Sequence, residues 1–109
     1  MLDEFEYMLI TAAAGLGSSA YGATIRQEIA SATGSNCAIG AIYTTIDRLE
    51  AKGLVRTRMG EATPQRGGRA KRMVEVTPLG AEAAREFYGA VARVSHRASW
   101  GPGKAEANT

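Results

Sequence analysis

At 109 residues the chain has room for one domain, and an apolar content of 45% is ordinary for a globular protein and excludes disorder over most of it. No apolar run approaches the roughly 20 residues that a membrane span needs, and no charged start followed by an apolar stretch suggests secretion. The single cysteine, Cys37, excludes an intrachain disulfide and fits a reducing cytoplasm. The net charge of +2 is unevenly spread. Residues 52–72 carry seven cations (Lys52, Arg56, Arg58, Arg66, Arg69, Lys71, Arg72) against Glu61, for a local charge of +6, while the remainder sums to −4. A focused basic segment on an acidic chain is the footprint expected for a polyanionic partner.

In chain order, residues 3–15 read as a first helix. Phe5, Met8, Leu9 and Ala12 recur at helical spacing, and Asp3, Glu4 and Glu6 occupy the first turn, where the helix dipole favours acids. Tyr7 and Ile10 lie to the side of that stripe. Two apolar faces predict two partners, the core and a second subunit. After a loop at residues 15–19, Ser18 or Ser19 is placed to cap a second helix over residues 20–32. Its expected buried stripe is Tyr21, Ile25, Ile29 and Ala32, with Arg26, Gln27 and Glu28 outward and Gly34 closing it. The link at 33–38 is longer than a tight helix-turn-helix turn, and residues 36–38 are a candidate short strand. Ala38 stands where the third helix needs a cap, and alanine caps poorly. That helix start therefore depends on tertiary contacts or on Asn36.

The third helix covers residues 39–52. Ile39, Ile42, Ile46 and Leu49 step by three, four and three, a stripe that needs a core. The opposite side carries Gly40, Ala41, Thr44 and Arg48, with Thr45 and Asp47 on the flanks, and has no bulky apolar group. Gly53 ends the helix. Residues 54–59 alternate as a half-buried strand, residues 61–68 are turn chemistry rich in Pro and Gly, and residues 69–77 return as a second strand with Met73 and Val74 near its middle. Helix, hairpin and basic loop form the back half of a winged helix-turn-helix, so the expected fold is mostly α with a small β-hairpin.

Pro78 suits the first turn of a last helix capped by Thr77. Leu79, Ala83, Phe87, Ala90, Val94 and Arg97 step by four or three to about residue 99, and Val91 widens the stripe. Such a helix spans roughly 30 Å, more than a domain of this size can cover. Its excess is expected to meet a symmetry mate. The dimer contacts are then Phe5, Leu9, Leu79, Ala83, Phe87, Ala90, Val91 and Val94. The chain divides into a DNA-binding unit (1–77), a dimerisation helix (78–100) and a tail (101–109) that reads as frayed.

No catalytic constellation is visible. His96 and Cys37 lack evident partners for nucleophilic chemistry, one His and one Cys do not make a zinc site, and the wing glycines do not follow a strand-to-helix pattern. No enzyme, metal or cofactor is expected.

A helix with a small, polar outer face beside a basic hairpin suits double-stranded DNA. Gly40 and Ala41 allow close approach to the major groove, and Thr44 and Thr45 can donate to bases or phosphates. Tyr43 packs its ring and either wets its hydroxyl or offers it to a phosphate. Arg48 either clamps a phosphate or pairs with a nearby acid. Arg66, Gly67, Gly68, Arg69 and Lys71 make a wing tip that can track the backbone or a narrow minor groove.

The segments YGATIRQEI (residues 21–29), IGAIYTTIDRLEAKGLV (39–55) and RGGRAKRMVEVTPLG (66–80) together resemble the PadR family of bacterial transcriptional regulators, in particular a compact subgroup with one C-terminal helix. The resemblance covers roughly residues 3–99. It implies a homodimer, usually a repressor, on an inverted-repeat operator, with the dimer formed by the last helix and helped by the first. Several relatives bind a planar aromatic effector at the dimer centre, and Trp100 and Phe87 are the candidate residues here. For Trp100, covering the dimer seam is the favoured alternative. Two departures stand out: Ala38, where the subgroup often has a serine cap, and Met73, where an aromatic is common. The competing class is a winged helix used as a protein-interaction module, against which the basic wing argues.

Overall fold

The computed structural model describes residues 1–60 and 71–101. Along the chain run α1 (Glu4–Leu16), a 3-10 turn (Gly17–Ser19), α2 (Gly22–Thr33), α3 (Ile39–Ala51), β1 (Val55–Met59), β2 (Arg72–Val76) and α4 (Pro78–Ser95). This is a mostly helical winged-helix arrangement with one antiparallel hairpin. The wing-tip residues Arg66, Gly67, Gly68 and Arg69 lie outside the described residues, as does the tail beyond Gly101.

Local chemistry sets most boundaries. Asp3 opens α1 with a reciprocal capping box: its carboxylate accepts the Glu6 N–H (2.8 Å) and Glu6 accepts the Asp3 N–H (2.9 Å). At the end of α3, Gly53 takes φ 76. Its N–H donates to the Glu50 carbonyl (3.0 Å) while the Leu54 N–H donates to that of Leu49 (2.9 Å), a Schellman closure. Thr77 caps α4, accepting the Gly80 N–H (3.0 Å) while its hydroxyl donates to the Gly53 carbonyl (2.8 Å). A Cβ on Gly80 would run into the Leu54 carbonyl oxygen, so Thr77-Pro78-Leu79-Gly80 locks the start of α4 onto the end of α3 at a distance only glycine permits.

The core is built from Leu9, Ile10, Ala13, Ile25, Ile29, Ile42, Ile46, Leu49, Leu54, Val55 and Val74. In α3, Ile42, Ile46 and Leu49 are buried as expected, but Ile39, the first residue of the helix, is not. The buried side of α1 is turned about a quarter of a circle from the expected stripe. Glu6, Leu9, Ile10, Ala12 and Ala13 are inside, while Phe5 and Met8 are half-buried. Ile10, read as a side position, is core because α1 packs between α2, α3, β2 and α4 together. In α2, Gly22, Ile25 and Ile29 are buried and Ala32 is exposed, on the rim of an open groove that it shares with Met8, Thr11 and Ala12 of α1.

Two other expectations are corrected. The cap of α2 is neither Ser18 nor Ser19, which sit in the 3-10 turn. Tyr21 holds the cap position, and its N–H donates to Thr24 Oγ1 (3.0 Å). Residues 36–38 form no strand. The hairpin is joined instead by the segment before α2: Tyr21 bridges Met73, and the Val74 N–H donates to the Ala20 carbonyl (2.9 Å). The weak Ala38 cap has no side-chain hydrogen bond, as expected. Arg26, read as outward, compensates nearby by donating its Nε–H to the Cys37 carbonyl (2.6 Å). Finally, α4 stops at Ser95, short of residue 99, and Gly101 is buried against the Ser95 carbonyl as part of a closing turn.

Candidate nucleic-acid interface

The face of α3 turned from the core presents Gly40, Ala41, Tyr43, Thr44 and Arg48, all exposed. It is small and polar because the four bulky apolar groups of the helix sit on the other stripe. Thr45 is an exception to the sequence reading. It is 3% exposed, turned into the domain, and offers nothing to a ligand. One position lies 100° from the next, and that rotation carries Thr45 off the flank and into the packed side beside Ile46 and Leu49.

Charge in this region is organised across elements. Hairpin pairing places Arg56 opposite Glu75, and Arg56 Nη2 lies 3.0 Å from the carboxylate. Arg72 reaches Asp47 (2.7 Å) and Glu50 (3.0 Å) on α3. Burial alone would pull its pKa down, yet these two carboxylates hold it raised. Glu50 also accepts the Thr57 hydroxyl (2.7 Å) and N–H (3.1 Å), and the Thr57 bonds with Arg72 hold it below the usual carboxylate range. Lys52 pairs with Glu6 at 2.9 Å. The acids that match Lys52, Arg56 and Arg72 all lie outside residues 52–72, so the +6 counted along that segment overstates the free charge of the hairpin base. Arg58 and Lys71 have no carboxylate partner among the described residues.

Glu6 is the unforeseen member of this region. Only 2% exposed, it joins the start of α1 to the end of α3. Burial pushes its carboxyl up, but the Lys52 hydrogen bond, the Asp3 N–H and the charges of Lys52 and Arg48 bring it below the usual range. Arg48 stands 3.7 Å from Asp3 and 3.8 Å from Glu6. Both are ion pairs beyond hydrogen-bond range, so the guanidinium is oriented and its donors stay available. Asp3 and Glu6 read in the sequence only as first-turn acids suited to the helix dipole; nothing in their spacing announced that α3 would dock on top.

A second face lies along α4. Its first half packs on the domain through Gly80, Ala83 and Ala84, and Phe87 stacks on Tyr7 of α1 with ring centroids 4.7 Å apart and planes at 22°. Beyond Ala90 the helix overhangs. Val91 and Val94 are exposed, the latter at 83%, as are Leu79 and Tyr88. Leu9, counted among the dimer contacts, is fully buried in its own domain and is not available to a partner. Trp100 lies beyond α4 at 81% exposure, and one face of Phe87 is already taken by Tyr7. An apolar groove of about 550 Å³ runs between α1 and α4, walled by Tyr7, Ile10, Ala14, Val76, Ala84 and Tyr88.

The model of the transcriptional regulator PadR-like family matches residues 14–86. No curated protein matches the chain by sequence. Among solved structures, a transcriptional regulator from Clostridium thermocellum superposes with a TM-score of 0.67 at 17% identity, over 84% of this chain and 85% of that one. A PadR family transcriptional regulator from Eggerthella lenta superposes with 0.64 at 19%, over 85% and 80%. F93 from STIV, a winged-helix DNA-binding protein, gives 0.67 at 18%, over 86% and 94%.

Proposed function

Since the chain belongs to the PadR-like family of transcriptional regulators, DNA-binding proteins and not enzymes, we propose that it acts as a homodimeric repressor in the cytoplasm, binding an inverted-repeat operator. The observation that carries the reading is the outer face of α3: Gly40, Ala41, Thr44 and Arg48 are exposed together on a helix whose opposite side packs Ile42, Ile46 and Leu49 into the core. In this reading α3 enters the major groove. Gly40 and Ala41 admit the DNA surface, Tyr43 and Thr44 donate to it, and Arg48 takes a phosphate. Residues 66–69 and Lys71 extend the contact as a wing. Residues 1–77 form the DNA-binding unit and residues 78–100 the dimerisation helix.

The overhanging apolar end of α4 supports the dimer. Val91 and Val94, three residues apart, are exposed together on one domain and form a buried seam when two copies pair, and Leu79 is exposed at the other end of α4. Phe5, Ala83, Phe87 and Ala90, each half-buried, border that seam. The groove between α1 and α4 supports relief by a planar aromatic effector; Phe87 stacks on Tyr7 of its wall, whereas Trp100 is not among the residues that line it. Binding there alters the spacing of the two α3 helices, which half-site recognition requires to be fixed.

Selection of bound fragments from random duplex DNA tests the function. A dimer with about six phosphate contacts loses about a thousandfold in affinity between 50 and 200 mM salt. Enrichment of a two-fold symmetric sequence with that salt dependence is expected. A salt-insensitive association with a protein, and no enriched DNA, would replace this reading with that of an interaction module.

A further inference from the structure

Three side chains converge on the start of α2, which contributes nothing to the surface described above. Tyr21 stands just before α2 in extended backbone (φ −152°, ψ 173°), bridged to Met73 of β2. That bridge sets its ring beside Lys71, whose Nζ lies 4.5 Å from the ring centroid and 3.2 Å from the hydroxyl oxygen. The ammonium donates to that oxygen, so the phenol proton points elsewhere, and it meets no acceptor among the described residues. From the recognition helix, Tyr43 lays its ring across Gly22. A Cβ on residue 22 would stand 2.8 Å from Tyr43 Cε1 and Oη and 2.9 Å from Cζ. Any larger residue would push the ring off the start of α2. The Tyr43 hydroxyl also has no protein acceptor among the described residues, and the ring is exposed.

The charge pattern sharpens the point. Lys52, Arg56 and Arg72 are each matched by a carboxylate, whereas Lys71, among the described residues, is held by the Tyr21 phenol alone. Among the described residues, two phenol protons without an acceptor and an ammonium without a carboxylate stand where the wing base, α2 and α3 meet. A phosphodiester matches that set: it accepts hydrogen bonds from phenols and carries the charge the ammonium lacks. It requires no base identity, as expected of a contact that sets register.

We propose that Tyr21, Tyr43 and Lys71 clamp the DNA backbone by a phosphate at the border of the groove that α3 enters, with Gly22 as the positioning residue that seats Tyr43. The proposal rests on the DNA-binding reading above and adds the start of α2 to the interface. Substitution of methylphosphonate at single positions of a selected operator, titrated against wild type, Tyr21→Phe, Tyr43→Phe and Lys71→Met, tests it. Each Tyr→Phe variant keeps its ring packing and is expected to bind roughly tenfold more weakly, the loss of one hydrogen bond to a charged group, with the salt slope unchanged. Lys71→Met is expected to lower the slope by about one per copy. One methylphosphonate position should abolish the difference between wild type and Tyr43→Phe. Gly22→Ala is expected to weaken binding as Tyr43→Phe does. If that variant misfolds, Gly22→Ala with Tyr43→Ala relieves the clash and should fold. Wild-type protein that binds no DNA overturns the functional reading itself. Wild-type protein that binds, with both Tyr→Phe variants within twofold of it or no coupling to any single phosphate, overturns the clamp alone.

Discussion

Glu6→Gln exchanges one carboxylate oxygen for an NH2 group at a side chain that is almost fully enclosed. The amide oxygen still accepts the Asp3 N–H, so the capping box survives. The NH2 then faces the Lys52 ammonium, donor against donor, where a 2.9 Å ion pair stood. A hydrogen bond to a charged group is worth about 1.5–3 kcal/mol. Lys52 is 47% exposed and recovers part of that by turning to water. The net cost is therefore about 1–2 kcal/mol, or a fall in Tm of about 4–8 °C for a domain of this length. The pH dependence follows from the lowered pKa. A carboxyl whose folded pKa lies below its unfolded value of 4.5 contributes fully above that value, and the contribution fades as pH falls through the folded one. Urea unfolding at fixed protomer concentration, at pH 7 and at pH 3.5, measures both, the concentration being held because the proposed dimerisation would add to apparent stability. Wild type and variant should differ at pH 7 and converge in acid. Equal midpoints at pH 7, or a gap that persists unchanged at pH 3.5, would refute the assignment of Glu6 as a buried, ionised tie between α1 and α3.

Gly80→Ala places a methyl against the Leu54 carbonyl, which is backbone and cannot swing aside. About 3 kcal/mol of destabilisation is expected, and a thermal scan indistinguishable from wild type would contradict the close approach. Val91→Glu with Val94→Glu should leave the helical circular dichroism intact and shift sedimentation from dimer to monomer; a persistent dimer would place the interface elsewhere. Arg48→Ala should weaken operator binding and reduce its salt slope by about one per copy. Arg56→Ala, whose charge is already spent on Glu75, should change affinity less than threefold. Anisotropy titrations at several salt concentrations compare the two, and equal losses would show that the ion pairs of the hairpin base open on DNA.

Much of this protein was legible before any coordinate. Asp3, Gly53, Thr77 and Pro78 carry their instructions in their own covalent geometry and hydrogen-bonding groups, so element ends could be read off within a few residues. The stripe of Ile42, Ile46 and Leu49 and the bare face opposite it follow from helical period alone. Errors arose where several neighbours compete for one helix. The first helix is enclosed by α2, α3, β2 and α4, and periodicity in a helix with two apolar faces does not say which face wins. That is why Ile10 and Leu9 went to the core, and why Leu9, expected at a dimer contact, is enclosed in its own domain.

Charge shows the same division. Counting along residues 52–72 finds every cation but none of the acids that answer them, because Glu6, Asp47, Glu50 and Glu75 arrive from other elements. The third pairing of the hairpin, taken by Tyr21 in place of residues 36–38, is likewise decided by which segment crosses β2 in space. The sequence by itself determined the four helices, the hairpin, the Thr77 cap of α4 and the family. Only tertiary structure decided which face of α1 is buried, which cations stay free and that Tyr43 lies on Gly22. The physical reason is range: capping and periodicity act over four residues or fewer, whereas burial and ion pairing are settled by groups brought together from opposite ends of the chain.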